Sequence, residues 1–88
     1  MRPCVYILQS FKNNTYYIGS TNDFERRFQE HVKGRAKYTS HLLPLTLAFK
    51  QEYKTIQEAR RIEIKLKRLK SKMIIEQIIR DGKINMRE

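Results

Sequence analysis

Two helical segments of the sequence carry polar side chains beside their apolar faces. At about 100° per residue, Arg27 and His31 lie roughly 60° and 20° from the direction of Phe24, so both flank the predicted buried face. Arg26 lies about 200° from Phe24 and is expected to face water. A guanidinium binds phosphate oxygens with a planar fork, and an imidazole exchanges protons near neutral pH. Arg27 and His31 are therefore candidates for chemistry on a phosphate group.

The second of these segments places an acid, Glu63, at the edge of an apolar stripe. Glu63 lies about 100° from Ile62 on the helical wheel. A lone carboxylate in such a position needs a cation or an arginine to stay ionised. An ordinary alternative is that Glu63 pairs with Lys67 one turn later. Arg27 and His31 have an equally ordinary alternative, in which their stems cover the core and their polar ends reach water.

The net charge bounds the partner class. The 88 residues carry a formal charge of +10, which favours a polyanion, and nucleic acid is the leading candidate: DNA, with RNA possible. We expect phosphate contacts from basic residues on both helical segments and the connection between them: Arg27, Lys33, Arg35, Lys37 and Lys67.

The same composition argues against several classes of protein. No apolar run approaches the roughly 18 residues of a membrane span, and the N-terminal apolar stretch is too short for a signal peptide. Cys4 is the only cysteine, which excludes a disulfide framework. We therefore expect one cytoplasmic domain over residues 1–88 that acts as a monomer and has no membrane partner.

The first half of the chain has the pattern of a β-hairpin followed by a helix. Residues 4–8 (CVYIL) and 15–19 (TYYIG) are β-branched and aromatic runs, and the turn-forming residues 12–14 (KNN) lie between them. A helix is predicted over about residues 22–33, with N-cap candidates at 20–22 and Gly34 as its stop.

The second half predicts one strand and two helices. Alternation over residues 45–53 indicates a third strand with Leu45, Leu47 and Phe49 on one face. Thr55 and Glu58 have capping-box spacing before the longest helix. Ser71 and Gly82 bound a last short helix. The order β-β-α-β-α-α predicts an α+β domain, a small three-stranded antiparallel sheet flanked by helices.

The motifs and their order resemble the GIY-YIG nuclease domain over nearly the whole chain. The first motif appears as "CVY", ending at Tyr6, and the second as "YIG", beginning at Tyr17. Arg27 follows ten residues after Tyr17, and His31 one turn later. The stretch "EARRIEIKLK" resembles the family's downstream helix, in which Glu63 has the position of the metal ligand.

The resemblance implies a metal-dependent endonuclease that hydrolyses DNA phosphodiester bonds, structure-selective or weakly specific, in DNA repair or processing. It implies Tyr6 as general base, Tyr17 as its partner and Arg27 on the phosphate. It further implies that His31 assists by proton transfer and that Glu63 holds one Mg²⁺ or Mn²⁺. Two alternatives stay open: a catalytically weak or inactive DNA- or RNA-binding module of the same fold, and a small structural protein with affinity for ribosomal RNA.

Two residues depart from the family pattern, and the hairpin raises a question of distance. Cys4 stands where the first motif has glycine, and Asn85, beyond the last helix, is a poor match for the family's late asparagine. A turn centred on residues 13–14 would set Tyr6 and Tyr17 four positions apart, on the order of 13 Å, unless a bulge or looser turn intervenes. We also expect the many lysines and arginines to lower the pKa of Tyr6.

Overall fold

Residues 2–85, which the computed structural model describes, form three strands, three α-helices and one short 3₁₀ turn in the predicted β-β-α-β-α-α order. The bounds of these elements are β1 (Cys4–Ser10), β2 (Tyr16–Thr21), α1 (Phe24–Val32), the 3₁₀ turn (Ser40–Leu42), β3 (Leu45–Glu52), α2 (Ile56–Leu69) and α3 (Lys72–Asp81). The predicted α+β class is confirmed. No helix in this part of the chain has the length and apolar run that crossing a bilayer requires.

The sheet has the strand order β2-β1-β3, with both pairings antiparallel. Successive side chains of the central strand β1 point to opposite faces. Val5 and Ile7 pack into the core formed with α2 and α3, whereas Tyr6 and Leu8 pack with Phe24 of α1 on the other face. Because helices cover both faces, β1 is almost fully buried.

The hairpin loop is longer than the turn predicted from the sequence. The backbone N–H of Ser10 donates to the carbonyl of Thr15 at 2.9 Å, so the strands close around a four-residue loop, 11–14. Asn14 ends this loop in the left-handed region at φ 58°, which asparagine tolerates better than most residues. This longer loop shifts the pairing of β1 with β2 away from the register that a tight turn predicts.

That register brings the two motif tyrosines closer than the sequence predicted. Tyr6 lies opposite Gly19, and Tyr17 lies opposite Leu8, so the tyrosines are two positions apart rather than four. Diagonal neighbours of this kind on one face are roughly 7–8 Å apart. The predicted separation of about 13 Å was therefore wrong, because it assumed a tight turn centred one residue too late.

The third strand contains a bulge that the alternating pattern does not show. Ile7 pairs with Phe49, but the next residue of β1 pairs with Leu47, which leaves Ala48 as an extra residue. Phe49 therefore turns into the core under α2 and α3, while Leu45 packs on the α1 side of the sheet. The prediction that both share one face with Leu47 was wrong for this reason.

The helix ends follow local capping chemistry. The α1 helix begins after Asp23, whose carboxylate accepts from the backbone N–H of Arg26 at 3.3 Å, and the N-cap lies later than predicted because β2 extends to Thr21. The predicted cap of α2 is confirmed by the bond from the N–H of Glu58 to the side chain of Thr55, at 3.1 Å. The predicted Ser71 cap and Gly82 stop of α3 are also confirmed.

Candidate active site

Tyr6 is held against the backbone of Gly19 in the neighbouring strand. The tyrosine is 2% exposed, and a Cβ atom added to Gly19 would lie 2.4 Å from its Oη atom and 2.5 Å from its Cζ atom. Such distances are shorter than any normal contact, so any side chain at this position would displace the ring. The glycine of the second motif therefore provides the space in which the tyrosine of the first motif lies.

His31 lies between the two tyrosines. Its Nε2 atom is 2.9 Å from the Oη atom of Tyr6, and its ring centroid is 5.6 Å from that of Tyr6 and 5.2 Å from that of Tyr17. Its Nδ1 atom is 2.7 Å from the Oγ1 atom of Thr39. The hydroxyl groups of Tyr6 and Thr39 can each donate or accept. The hydrogen-bonded series from Tyr6 through His31 to Thr39 can therefore form with either neutral tautomer of His31.

Tyr6, Tyr17 and His31 form a cluster, and burial sets the protonation of Tyr6 and His31 within it. Desolvation, reinforced by the charge of Arg27, lowers the pKa of His31 to about 4, so the imidazole is neutral at physiological pH. Desolvation and the neighbouring Tyr17 raise the pKa of Tyr6 to about 12, and the nearby Arg27 offsets only part of that effect. The expectation that basic residues lower the pKa of Tyr6 was therefore wrong, since burial outweighs the field of the surrounding cations.

Arg27 lies at the mouth of the cluster. Its Nη1 atom donates to the Oε1 atom of Glu30 at 2.9 Å, and its guanidinium lies near enough to the hydroxyl group of Tyr6 to oppose the rise in the pKa of that group. The side chain is 34% exposed, so it can meet an incoming phosphate, whereas the side chain of Arg26 is 70% exposed and turned to water. The helical-wheel prediction that Arg27 flanks the buried face while Arg26 faces water is confirmed.

Glu63 reaches this region around the open edge of the sheet. The α2 helix lies on the face opposite α1, but it packs beside β2, which is an edge strand. One carboxylate oxygen of Glu63 accepts from the hydroxyl group of Ser20, and the other lies 2.6 Å from the Nζ atom of Lys67. That Nζ atom is 5.7 Å from the ring centroid of Tyr17. The ordinary pairing of Glu63 with Lys67 is thus present, and it lies next to the second motif tyrosine.

A divalent ion would have one protein carboxylate here. Within residues 2–85, no group of three or more His, Cys, Asp or Glu side chains could hold a metal. Mg²⁺ often binds through one or two carboxylates and fills its other positions with water and substrate phosphate. Glu63, with a side chain 17% exposed, fits that kind of site once Lys67 releases its oxygen. Asn85 lines a separate cavity beside α3.

The remaining predicted contacts lie on exposed parts of the chain. Lys33, Arg35 and Lys37 are exposed in the segment that leads from α1 to Thr39, which is anchored on His31. Their role in binding nucleic acid stays a prediction. The backbone of this segment runs from the end of α1, just after His31, to Thr39, which bonds His31.

The sequence did not indicate two residues that bond candidate site residues, one at His31 and one at Glu63. Thr39 lies in an irregular segment without periodicity, so nothing in the sequence indicated that its hydroxyl group meets His31. Ser20 was considered only as a helix cap. Its position directly after the second motif, on the edge strand, is the signal that could have identified it as a partner of Glu63.

Comparison with known proteins agrees with this geometry. Residues 2–76 match the family model of the GIY-YIG catalytic domain. The chain is 40% identical over 70 residues to a UPF0213 protein of Xanthomonas axonopodis pv. citri, covering 78% of this chain and 69% of that protein. A UPF0213 protein of Bacillus subtilis is 39% identical, with 75% and 71% covered.

A solved structure is also similar. The solution NMR structure of a UPF0213 protein from Bacillus halodurans has a TM-score of 0.57 and 35% identity, and the match covers 90% of this chain and 83% of that one. The family match covers far more than half of the sequence and includes both tyrosine motifs, Arg27, His31 and Glu63. The chain therefore belongs to the GIY-YIG nuclease family.

Proposed function

We propose that this protein is a metal-dependent endonuclease that hydrolyses phosphodiester bonds in DNA. The observation that supports this most strongly is the hydrogen-bonded chain from Tyr6 through His31 to Thr39, with Arg27 at its mouth. Glu63 stands at the adjacent sheet edge and is close enough for its charge to raise the pKa of Tyr6. These groups are a phosphate ligand, a proton-transfer chain and a carboxylate that can hold a metal.

The proposed proton path begins at the attacking water. The hydroxyl group of Tyr6 accepts a proton from this water as its own proton passes to the Nε2 atom of His31, 2.9 Å away. A phenol with a pKa of about 12 is a poor acid by itself, so the transfer to His31 has to accompany the attack. The hydroxyl group of Thr39 accepts from the Nδ1 atom and holds the imidazole in the orientation that receives the proton.

Arg27 binds the scissile phosphate and stabilises the negative charge that develops during attack. The phosphate also offsets the cationic field of Arg27, which is one of the two causes that lower the pKa of His31. Substrate binding thereby makes His31 a better proton acceptor. A Mg²⁺ or Mn²⁺ ion held by Glu63 would supply electrophilic stabilisation of the phosphate and the leaving oxygen.

The proposed substrate preference follows from the kind of basic residues present. Lysines and arginines on exposed segments contact phosphates and carry little sequence information. We therefore propose weak sequence specificity. We also propose that the protein acts as a monomer in the cytoplasm, in DNA repair or processing.

The test is a cleavage assay on single-stranded, nicked, flapped and branched DNA with Mg²⁺, Mn²⁺ or EDTA. Metal-dependent cleavage is expected in the wild type and is expected to be lost in Arg27→Ala and Glu63→Gln. Arg26→Ala is the matched control, since it removes the same charge one residue away on the exposed face. Cleavage that survives Glu63→Gln, or that requires no metal, would contradict the proposal.

Two observations favour a binding module as the second candidate. Tyr6 is protonated in the free protein, and the carboxylate of Glu63 is already paired with Ser20 and Lys67. A protein that only binds DNA or RNA would tolerate both features. Tight binding to the same DNA set without cleavage in any metal would establish this alternative.

A further inference from the structure

A hollow opens beside β2 on the face of the sheet opposite α1. It encloses about 270 Å³, and its floor contains Tyr16, Ile18, Leu66 and Ile75. Sites for drug-sized ligands usually have roughly 300–1,000 Å³, so this hollow suits a small ligand such as one planar ring system. An apolar floor that includes an aromatic ring is a surface on which a nucleobase can stack.

The rim of the hollow is cationic. Lys67, Lys70 and Lys72 line it, and none of the described residues that line it is acidic. The Nζ atom of Lys72 lies 5.9 Å from the ring centroid of Tyr16 and 3.3 Å from the backbone oxygen of Asn14. Three ammonium groups around an apolar floor complement a base that carries phosphates on either side.

Tyr16 is a neutral stacking surface. Burial and the neighbouring carboxylate of Glu76 raise the pKa of Tyr16, so its phenol stays protonated at physiological pH. An uncharged ring does not repel the phosphates that flank a bound base.

The hollow and the candidate active site share the edge of one strand. Tyr16 and Tyr17 are consecutive in β2, so their side chains lie on opposite faces of the sheet. Lys67 lines the hollow and also pairs with Glu63, near the ring of Tyr17. Because β2 is an edge strand, a nucleic-acid strand can cross it and contact both faces.

We propose that the hollow binds one unpaired base of the strand whose phosphate lies at Arg27. This inference rests on the proposed function and specifies its substrate class as nucleic acid that is single-stranded or unpaired next to the cleavage point. A base within a duplex stays stacked inside the helix and cannot enter a hollow without being extruded, which costs a few kcal/mol. The hollow therefore selects unpaired nucleotides.

Binding in EDTA tests the proposal without any cleavage. The probe is a labelled DNA single strand and the duplex of the same sequence, at one fixed salt concentration. The wild type is expected to prefer the single strand. Tyr16→Ala is expected to weaken single-strand binding roughly 5- to 150-fold, the range for loss of one stacked base, and to change duplex binding little. Tyr16→Phe keeps the ring and is expected to bind as the wild type does.

A second pair of variants leaves the floor of the hollow intact. Lys72→Gln is expected to weaken single-strand binding more than Lys54→Gln, an exposed lysine near the start of α2 that does not line the hollow. A single abasic site moved along the strand is expected to weaken binding at one position only. The proposal is overturned if Tyr16→Ala weakens both DNA forms equally, or if abasic sites have no effect at any position. Absence of metal-dependent cleavage would overturn the proposed nuclease function alone.

Discussion

Protonation of His31 should make the fold sensitive to mild acid. The imidazole is fully buried, and its pKa falls from the ordinary value of 6.5 to about 4. In the unfolded chain it takes up a proton below about pH 6.5, whereas in the folded protein it does so only near pH 4. The unfolded state therefore binds more protons in this window, and stability is lost as the pH falls through it.

The size of this effect follows from the two pKa values. Each pH unit contributes about 1.4 kcal/mol, so the full difference is about 3 kcal/mol, and about 2 kcal/mol is already lost at about pH 5. For a domain of this size, a loss of 2 kcal/mol corresponds to a fall of roughly 8–16 °C in melting temperature.

The assay is urea unfolding between about pH 7.5 and about pH 5, where most carboxylates stay ionised. His31→Gln is expected to lower stability overall but to flatten its dependence on pH. His41→Gln is the matched control, because it removes the other histidine of the chain, which is exposed. Equal slopes for the wild type and His31→Gln would refute the view that burial holds this imidazole neutral.

Three further variants test other contacts of the site. Gly19→Ala should reduce cleavage at least tenfold, since its Cβ atom would displace the first motif tyrosine, while Gly82→Ala, with open space around its Cβ, should affect stability only. Thr39→Val should cost about 1–3 kcal/mol in urea unfolding, because it leaves a buried imidazole nitrogen unpaired, and unchanged stability would contradict the Thr39 bond. Arg27→Lys keeps the charge but loses the planar fork of the guanidinium. It should therefore lower the cleavage rate roughly 10²-fold or more while the salt dependence of DNA binding stays the same. A normal cleavage rate would argue against a guanidinium on the phosphate.

Periodicity and capping residues were sufficient to predict the order of the elements. Helical spacing placed Arg27 and His31 beside the buried face, where they are half-buried and buried. The side chains of Thr55 and Ser71 cap the helices that they were predicted to begin. These features depend on neighbours within a few residues, so they can be read along the chain. The resemblance to the family likewise depends on local motifs and their order.

The tertiary structure decided which of these residues meet and in what state. The hairpin register depended on a loop ending at Asn14 in the left-handed region, and that register set the distance between Tyr6 and Tyr17. Contact between His31 and Thr39 required an irregular segment to fold back onto α1. The pKa of Tyr6 differed most from expectation. The net charge that suggested a lowered pKa is a property of composition, whereas desolvation, which raises the pKa, exists only after the chain has folded around the group.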